Sequence, residues 1–183
     1  MDDFALHNQE TAPEGAKPLL DNSVKMFGMI PNLHAVMAES PNALEAYQKM
    51  TALFQSSSLS PAEQDVVWLT VSRLNSCDYC IPAHSFIAVK LHQTSGETVT
   101  ALRQGTALAD AKLEALRLFT EAVIRRQGKL DPEEVAAFFA AGFSRRNLLD
   151  VMLGVAHKTF SNYTNHIAHT PIDEPFKAYA DDQ

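Results

Sequence analysis

The sequence has few of the residues that staple small proteins or grip nucleic acid. Only two cysteines and one tryptophan occur among 183 residues. Two cysteines cannot build the dense disulfide framework of a small secreted scaffold. Basic residues never run longer than the pairs Arg125-Arg126 and Arg145-Arg146, and the formal net charge is -7. A phosphate backbone would be repelled rather than gripped, which excludes nucleic acid as a partner. No apolar stretch approaches the ~18 residues of a membrane span. Residues 1–10 are acidic and polar rather than a basic-then-apolar leader. The expected setting is therefore the reducing cytoplasm, without a membrane partner. Alternating strand patterns of useful length are missing too, so the expected fold class is all-α.

What is present is 46% hydrophobic, enough to bury one substantial core, and the expectation is a single domain over residues 1–183. Residues 1–20 lack periodicity and read as an irregular arm. Pro171 and Pro175 break residues 171–183 into a tail. Between them proline punctuates short helices: 24–29, 32–39 and 41–55. A further helix opens at Ser60-Pro61-Ala62-Glu63, where serine caps and the glutamate three positions on reaches back to the serine N–H. A second helix runs through residues 86–91 and is ended by Ser95-Gly96. Helices at 97–104 and 108–127 follow, then a second box at Asp131-Pro132-Glu133-Glu134, and a helix over 145–168. The two boxes hint at duplicated helical hairpins, with Leu148 and Val151 in the second where the first has its cysteines.

Those cysteines, Cys77 and Cys80, are followed four residues later by His84. In a helix, offsets of three and four put all three side chains on one stripe. Pro82 lacks an N–H and favours the first turn, so a helix starting at Asp78 or a close neighbour puts Cys80 among unpaired N–H groups that favour an anion. Cys80 is thus expected to be the low-pKa thiol, with His84 within reach as its base. Glu63 has a capping role, whereas Asp65 sits on a mostly apolar helix and is expected to hold His84, a bridging water or the helix N-terminus. Two thiols and an imidazole also suit zinc, but the chain offers no second cysteine cluster for a closed site. His157, Asn162, Asn165, His166 and His169 make the last long helix polar, which reads first as a solvated or interface face and second as a pocket wall.

Residues 59–86, LSPAEQDVVWLTVSRLNSCDYCIPAHSF, resemble the core signature of AhpD-like alkylhydroperoxidases in the carboxymuconolactone decarboxylase family. The run MFGMIPNL at 26–33 and the Ser40-Pro41-x-x-Leu44-x-Ala46-Tyr47 pattern are similar to the N-terminal helices of peroxidase-related members. The resemblance implies an all-helical, cofactor-free protein assembled as a trimer or hexamer. It also implies hydroperoxide as substrate: Cys80 attacks the peroxide, Cys77 resolves the sulfenic acid as a disulfide, and a dithiol reductant, protein or lipoyl-type, restores the pair. His84 and a carboxylate would relay protons. The family usually places a glutamate twelve residues before the first cysteine, where this chain has Asp65. Some members carry a histidine just before the second cysteine, where this chain has Tyr79. Family decarboxylases lack the cysteine pair; decarboxylation or isomerisation in a pocket near the last helix is the alternative chemistry, and a zinc-holding helical module is the other.

Overall fold

A computed structural model describes residues 4–180, and among them the only regular structure is helical. The α-helices are α1 (Lys17–Phe27), α2 (Asn32–Met37), α3 (Pro41–Gln55), α4 (Pro61–Leu74), α5 (Cys80–Lys90), α6 (Gly96–Gln104), α7 (Ala111–Arg125), α8 (Pro132–Ala140) and α9 (Arg145–Ala168). The expected all-α class is the one observed. No helix among the described residues is long and apolar enough to cross a membrane.

Helix α4 organises the rest. Residues 63–72 are all buried, so the helix has no solvent face and must be wrapped on every side. Its neighbours are α5, α6, α7 and α9. The expected capping box forms: the Ser60 N–H donates to Glu63 Oε2 at 2.7 Å, and the Glu63 N–H returns to Ser60 Oγ. Glu63 also pairs with Lys112 at 2.7 Å, which leaves it no role nearer the cysteines. The second box forms as well, with the Asp131 N–H donating to Glu134 at 2.9 Å. The helices they open differ, 14 residues in α4 and 9 in α8, so the two hairpins are not copies in length.

The apolar residues form two clusters. One joins Trp68, Leu102, Leu116 and Phe138 between α4, α6, α7 and α8, with Phe138 stacked on Phe119 at 4.0 Å. The other gathers Leu20, Leu33, Leu44 and Tyr47 from the N-terminal helices around Cys77 and Cys80. Each fully buried leucine contributes about 1.5–3 kcal/mol. That burial decides the structure of the opening segment. The arm expected to be irregular through residue 20 is helical from Lys17, because Ala16 and Leu20, four positions apart, pack into the second cluster.

Two further boundaries differ from expectation. Ser95 does not end α5 but caps α6, its Oγ accepting the Thr98 N–H at 3.2 Å. The tail forms a 3-10 segment, Glu174–Tyr179, lying on α5 with Phe176 5.4 Å from Phe86. Asp173 anchors it by accepting from the Tyr79 hydroxyl at 2.5 Å and from the Asn32 N–H at 3.1 Å. The outermost residues of arm and tail, 1–3 and 181–183, lie outside the described residues.

Candidate active site

The chain turns sharply between α4 and α5, and Cys77 lies in that turn. Ser76 adopts a left-handed backbone (φ 51°), and the Cys77 N–H closes on Ser72 O at 3.0 Å. The Cys77 carbonyl accepts the Ile81 N–H, and the Cys77 sulfur accepts the Cys80 N–H at 3.4 Å. A sulfur thus stands where a capping oxygen usually does. The helix begins at Cys80, two residues later than Asp78, and its N-terminal N–H is aimed at the Cys77 sulfur rather than at that of Cys80. Both cysteines are free and buried.

Cys80 owes its polarity to α9. The Lys158 ammonium, on a residue with no exposed surface, donates to Cys80 Sγ at 3.3 Å and lies 2.7 Å from His84 Nε2. Asn165 Nδ2 donates to the same sulfur at 3.2 Å, and Ser161 Oγ lies 3.9 Å away. Burial alone would push the Cys80 thiol up. The hydrogen bond from Cys77 and the Lys158 charge outweigh it and bring Cys80 down to about 5. Cys77 moves the other way, raised first by its hydrogen bond to Cys80 and then by burial, so it holds the proton. Of the two thiols it is Cys80 that is lowered, and the causes are the Cys77 hydrogen bond and the Lys158 charge rather than the helix terminus.

His84 shares the stripe with the cysteines as its spacing requires, yet it does not reach Cys80 as a base. Lys158 stands between them. Burial first, and then the Lys158 charge, hold the His84 imidazole well below its usual range, so it is neutral. Its Nε2 accepts from the ammonium, which puts the ring proton on Nδ1. That atom has no hydrogen-bond partner among the described residues.

Asp65 is fully buried, but its oxygens do not go to His84. Oδ1 meets His92 Nδ1 at 2.8 Å and Oδ2 accepts from Thr94 Oγ1 at 2.7 Å, so the carboxylate ties α4 to the connection between α5 and α6. Burial raises its carboxyl despite these partners. Tyr79, at the position of the missing family histidine, is pinned by its hydroxyl to Asp173.

A cavity of about 320 Å³ opens onto Cys80, His84 and Lys158, with walls that include Leu33, Tyr47, Trp68, Phe86 and Phe176. Its floor is a fixed polar chain. Trp68 Nε1–H donates to His157 Nδ1 at 3.2 Å, His157 Nε2 lies 2.9 Å from Thr51 Oγ1, and that hydroxyl donates to Tyr47 O. The Trp68 donor fixes the His157 tautomer, with its proton on Nε2. Burial depresses both His157 and His34, the latter to about 4, so the cavity is lined by neutral imidazoles around a single ammonium.

The polar residues of the last helix therefore divide. His157, Asn162 and Asn165 are buried, Asn165 against the cysteine sulfurs and His157 in the cavity wall, whereas His166 and His169 are exposed. Lys158 was not singled out by sequence at all. A signal for it exists: Gly154, His157, Lys158, Ser161, Asn162 and Asn165 recur at spacings of three and four, a stripe of small and polar residues continuous with the buried face. No three His, Cys, Asp or Glu side chains converge as metal ligands among the described residues, and an ammonium against both the thiol and the imidazole repels a cation.

None of the curated proteins compared matches the chain. Residues 38–122 match the carboxymuconolactone decarboxylase family. Solved structures share the fold at low identity. An AhpD-core, peroxidase-related protein from Ralstonia eutropha JMP134 superposes with TM-score 0.83 at 16% identity, covering 96% of both chains. A peroxidase-related protein from Silicibacter sp. TM1040 gives 0.81 at 19%, covering 96% of this chain and 92% of that one. The debrominase Bmp8, in complex with 2,3,4-tribromopyrrole, gives 0.79 at 18%, covering 97% of each. The segment 38–122 is thus similar to the carboxymuconolactone decarboxylase family, and the chain as a whole shares the all-α fold of the AhpD-core structure.

Proposed function

We propose that the chain is a thiol-dependent peroxidase that reduces organic hydroperoxides at Cys80. The observation that carries this reading is a buried thiol, brought to about 5, facing an apolar cavity beside a lysine ammonium. The Cys80 thiolate attacks the terminal peroxide oxygen, the O–O bond breaks, and Cys80 becomes a sulfenic acid while an alkoxide leaves. Lys158 stands where it delivers the proton that the alkoxide needs. His84, accepting from Lys158 through Nε2, orients the ammonium and passes protons to it. Cys77 then attacks the Cys80 sulfur, water leaves, and the disulfide forms. Asp65 acts at one remove as a positioning residue: it holds His92, which stacks 6.4 Å from Trp68, the ring that packs on His84 at 4.8 Å.

The cavity supports an organic rather than an inorganic peroxide, since its volume of about 320 Å³ far exceeds the ~10–15 Å³ of like measure that holds one water. Leu149, Met152, Tyr163 and Ile167 form one exposed apolar stripe on α9, which supports self-assembly through that helix. The reductant of this reading is a dithiol. The test is a thiol count on reduced protein before and after cumene hydroperoxide. Both thiols are consumed in the wild type, none rapidly in Cys80→Ser, and Cys77→Ser traps a sulfenic acid. Persistence of both thiols under excess peroxide would sink the reading.

Reductive dehalogenation of an aromatic ring is a second reading, favoured by the ring-sized aromatic cavity and the likeness to a debrominase. Cys80 would take the halogen as a sulfenyl halide, the ring carbon would gain a proton, and Cys77 would expel halide to form the same disulfide. Bromide release from a bromopyrrole, with no thiol loss to cumene hydroperoxide, would select it.

A further inference from the structure

The two cysteines face different spaces. Cys80 borders the apolar cavity together with His84 and Lys158, and Cys77 does not. Cys77 borders a second recess of about 400 Å³, on which Cys80 does not open. Tyr79, held by Asp173, lines both and forms the wall between them. The recess is polar, with Asp78, Asn165, His166, His169 and Thr170 on its sides. Asn165 and Thr170 are each more than nine-tenths buried, and Asn165 Oδ1 and Thr170 Oγ1 have no hydrogen-bond partner among the described residues. Buried polar atoms of this kind are costly unless a ligand or solvent satisfies them.

The geometry points to this recess as the separate entrance for the dithiol reductant, which approaches the buried Cys77 from that side while peroxide approaches Cys80 from the other. The inference rests on the dithiol cycle proposed above. Thiol–disulfide exchange runs faster when the departing sulfur is the better-stabilised thiolate. Lys158 donates to Cys80 alone, and Asn165 lies nearer Cys80 (3.2 Å) than Cys77 (3.8 Å), so Cys80 is the leaving group and Cys77 the sulfur to be attacked. One thiolate of the dithiol bonds to Cys77 Sγ as the Cys77–Cys80 bond breaks and Cys80 leaves as thiolate. The second sulfur of the dithiol then closes on the first and releases Cys77. The protein gains two electrons and the dithiol loses two. Of the two dithiol protons, one goes to Cys77 and the other to water, because Cys80 remains ionised. Asn165 Oδ1 and Thr170 Oγ1 offer acceptors for a thiol proton or a polar group of the incoming reductant.

The experiment uses full-length protein oxidised to the disulfide with diamide, mixed with dithiothreitol, and followed by thiol release. Filling the recess with Ile172→Trp slows reduction by about tenfold or more, because exchange depends on access to the attacked sulfur. The exposed neighbour His166, changed to Trp, narrows the same recess from its rim and also slows reduction. Leu91→Trp, at the edge of the apolar cavity, slows oxidation by cumene hydroperoxide instead. Reduction at the wild-type rate in both recess variants, with circular dichroism unchanged, would overturn the inference. Slowing of dithiothreitol reduction by Leu91→Trp alone would overturn it as well, by assigning both reactants to one entrance. Since diamide makes the disulfide, a wild type inert to hydroperoxide would refute the peroxidase reading while this comparison still reported on the recess.

Discussion

At the scale of single residues the site turns on Lys158. A lysine with no exposed surface normally carries a desolvation cost, and here that cost is offset by a thiolate and a neutral imidazole within hydrogen-bonding distance. The arrangement yields a prediction that separates a functional lysine from a structural one. In Lys158→Met, Cys80 keeps its burial and loses its counter-charge, so its titration, followed by thiolate absorbance near 240 nm, rises from about 5 by at least ~2 pH units. Peroxide reactivity at neutral pH falls accordingly. A merely structural lysine would leave the Cys80 titration where it is. The motif C-x-x-C-x-x-x-H was legible in the sequence because its three members lie within eight residues of one another. Lys158 was not, since 78 residues separate it from Cys80 and no local spacing connects them.

The elements were legible where local chemistry specifies them. Proline and capping residues at Ser40, Ser60 and Asp131 marked the starts of α3, α4 and α8, and α9 spans the expected 145–168. Boundaries that depend on packing were less so, as in the helical stretch from Lys17. What positions α9 is the absence of a side chain at Gly154. A Cβ there would lie 2.5 Å from Phe54 and 2.8 Å from Val67, both buried, so α9 approaches α3 and α4 closely at this point. His157 and Lys158 follow one turn later. Gly154→Ala gains up to ~1 kcal/mol of helix propensity. The overlap with a buried ring costs more, about 1–3 kcal/mol. The net loss is expected in urea unfolding, together with slower peroxide oxidation as Lys158 shifts relative to Cys80.

At the scale of the whole molecule, burial of several titratable groups gives the fold a pH dependence of definite sign. His34, His84 and His157 are all depressed in the native state, chiefly by burial. The unfolded chain therefore binds protons below about pH 6.5 that the native chain refuses, and stability falls as pH falls. At pH 5.5 the loss is about 1 kcal/mol for each of them. Cys80 acts in the same direction: its contribution is present above its unfolded value and is lost as pH drops through about 5. Asp65 and Asp173, whose carboxyls burial raises, take up protons early in the native state and offset part of this loss near the carboxylate range. Thermal unfolding should accordingly show Tm decreasing steadily from pH 7 to 5, and a Tm flat over that interval would contradict neutral histidines in the core.

The all-α class, most helix starts, and the dithiol with its nearby imidazole were determined by the sequence alone, because each follows from periodicity, caps or spacing within a few residues. Only the tertiary structure decided which groups surround the sulfurs. It inserted Lys158 between Cys80 and His84, turned Asp65 toward His92 and Thr94, aimed a helix N–H at Cys77, and opened a different space onto each cysteine. The place of Lys158 and the wall between the two spaces depend on how α9 and the C-terminal segment pack across α4 and α5, contacts between residues some 80–100 positions apart in sequence, which no local pattern encodes.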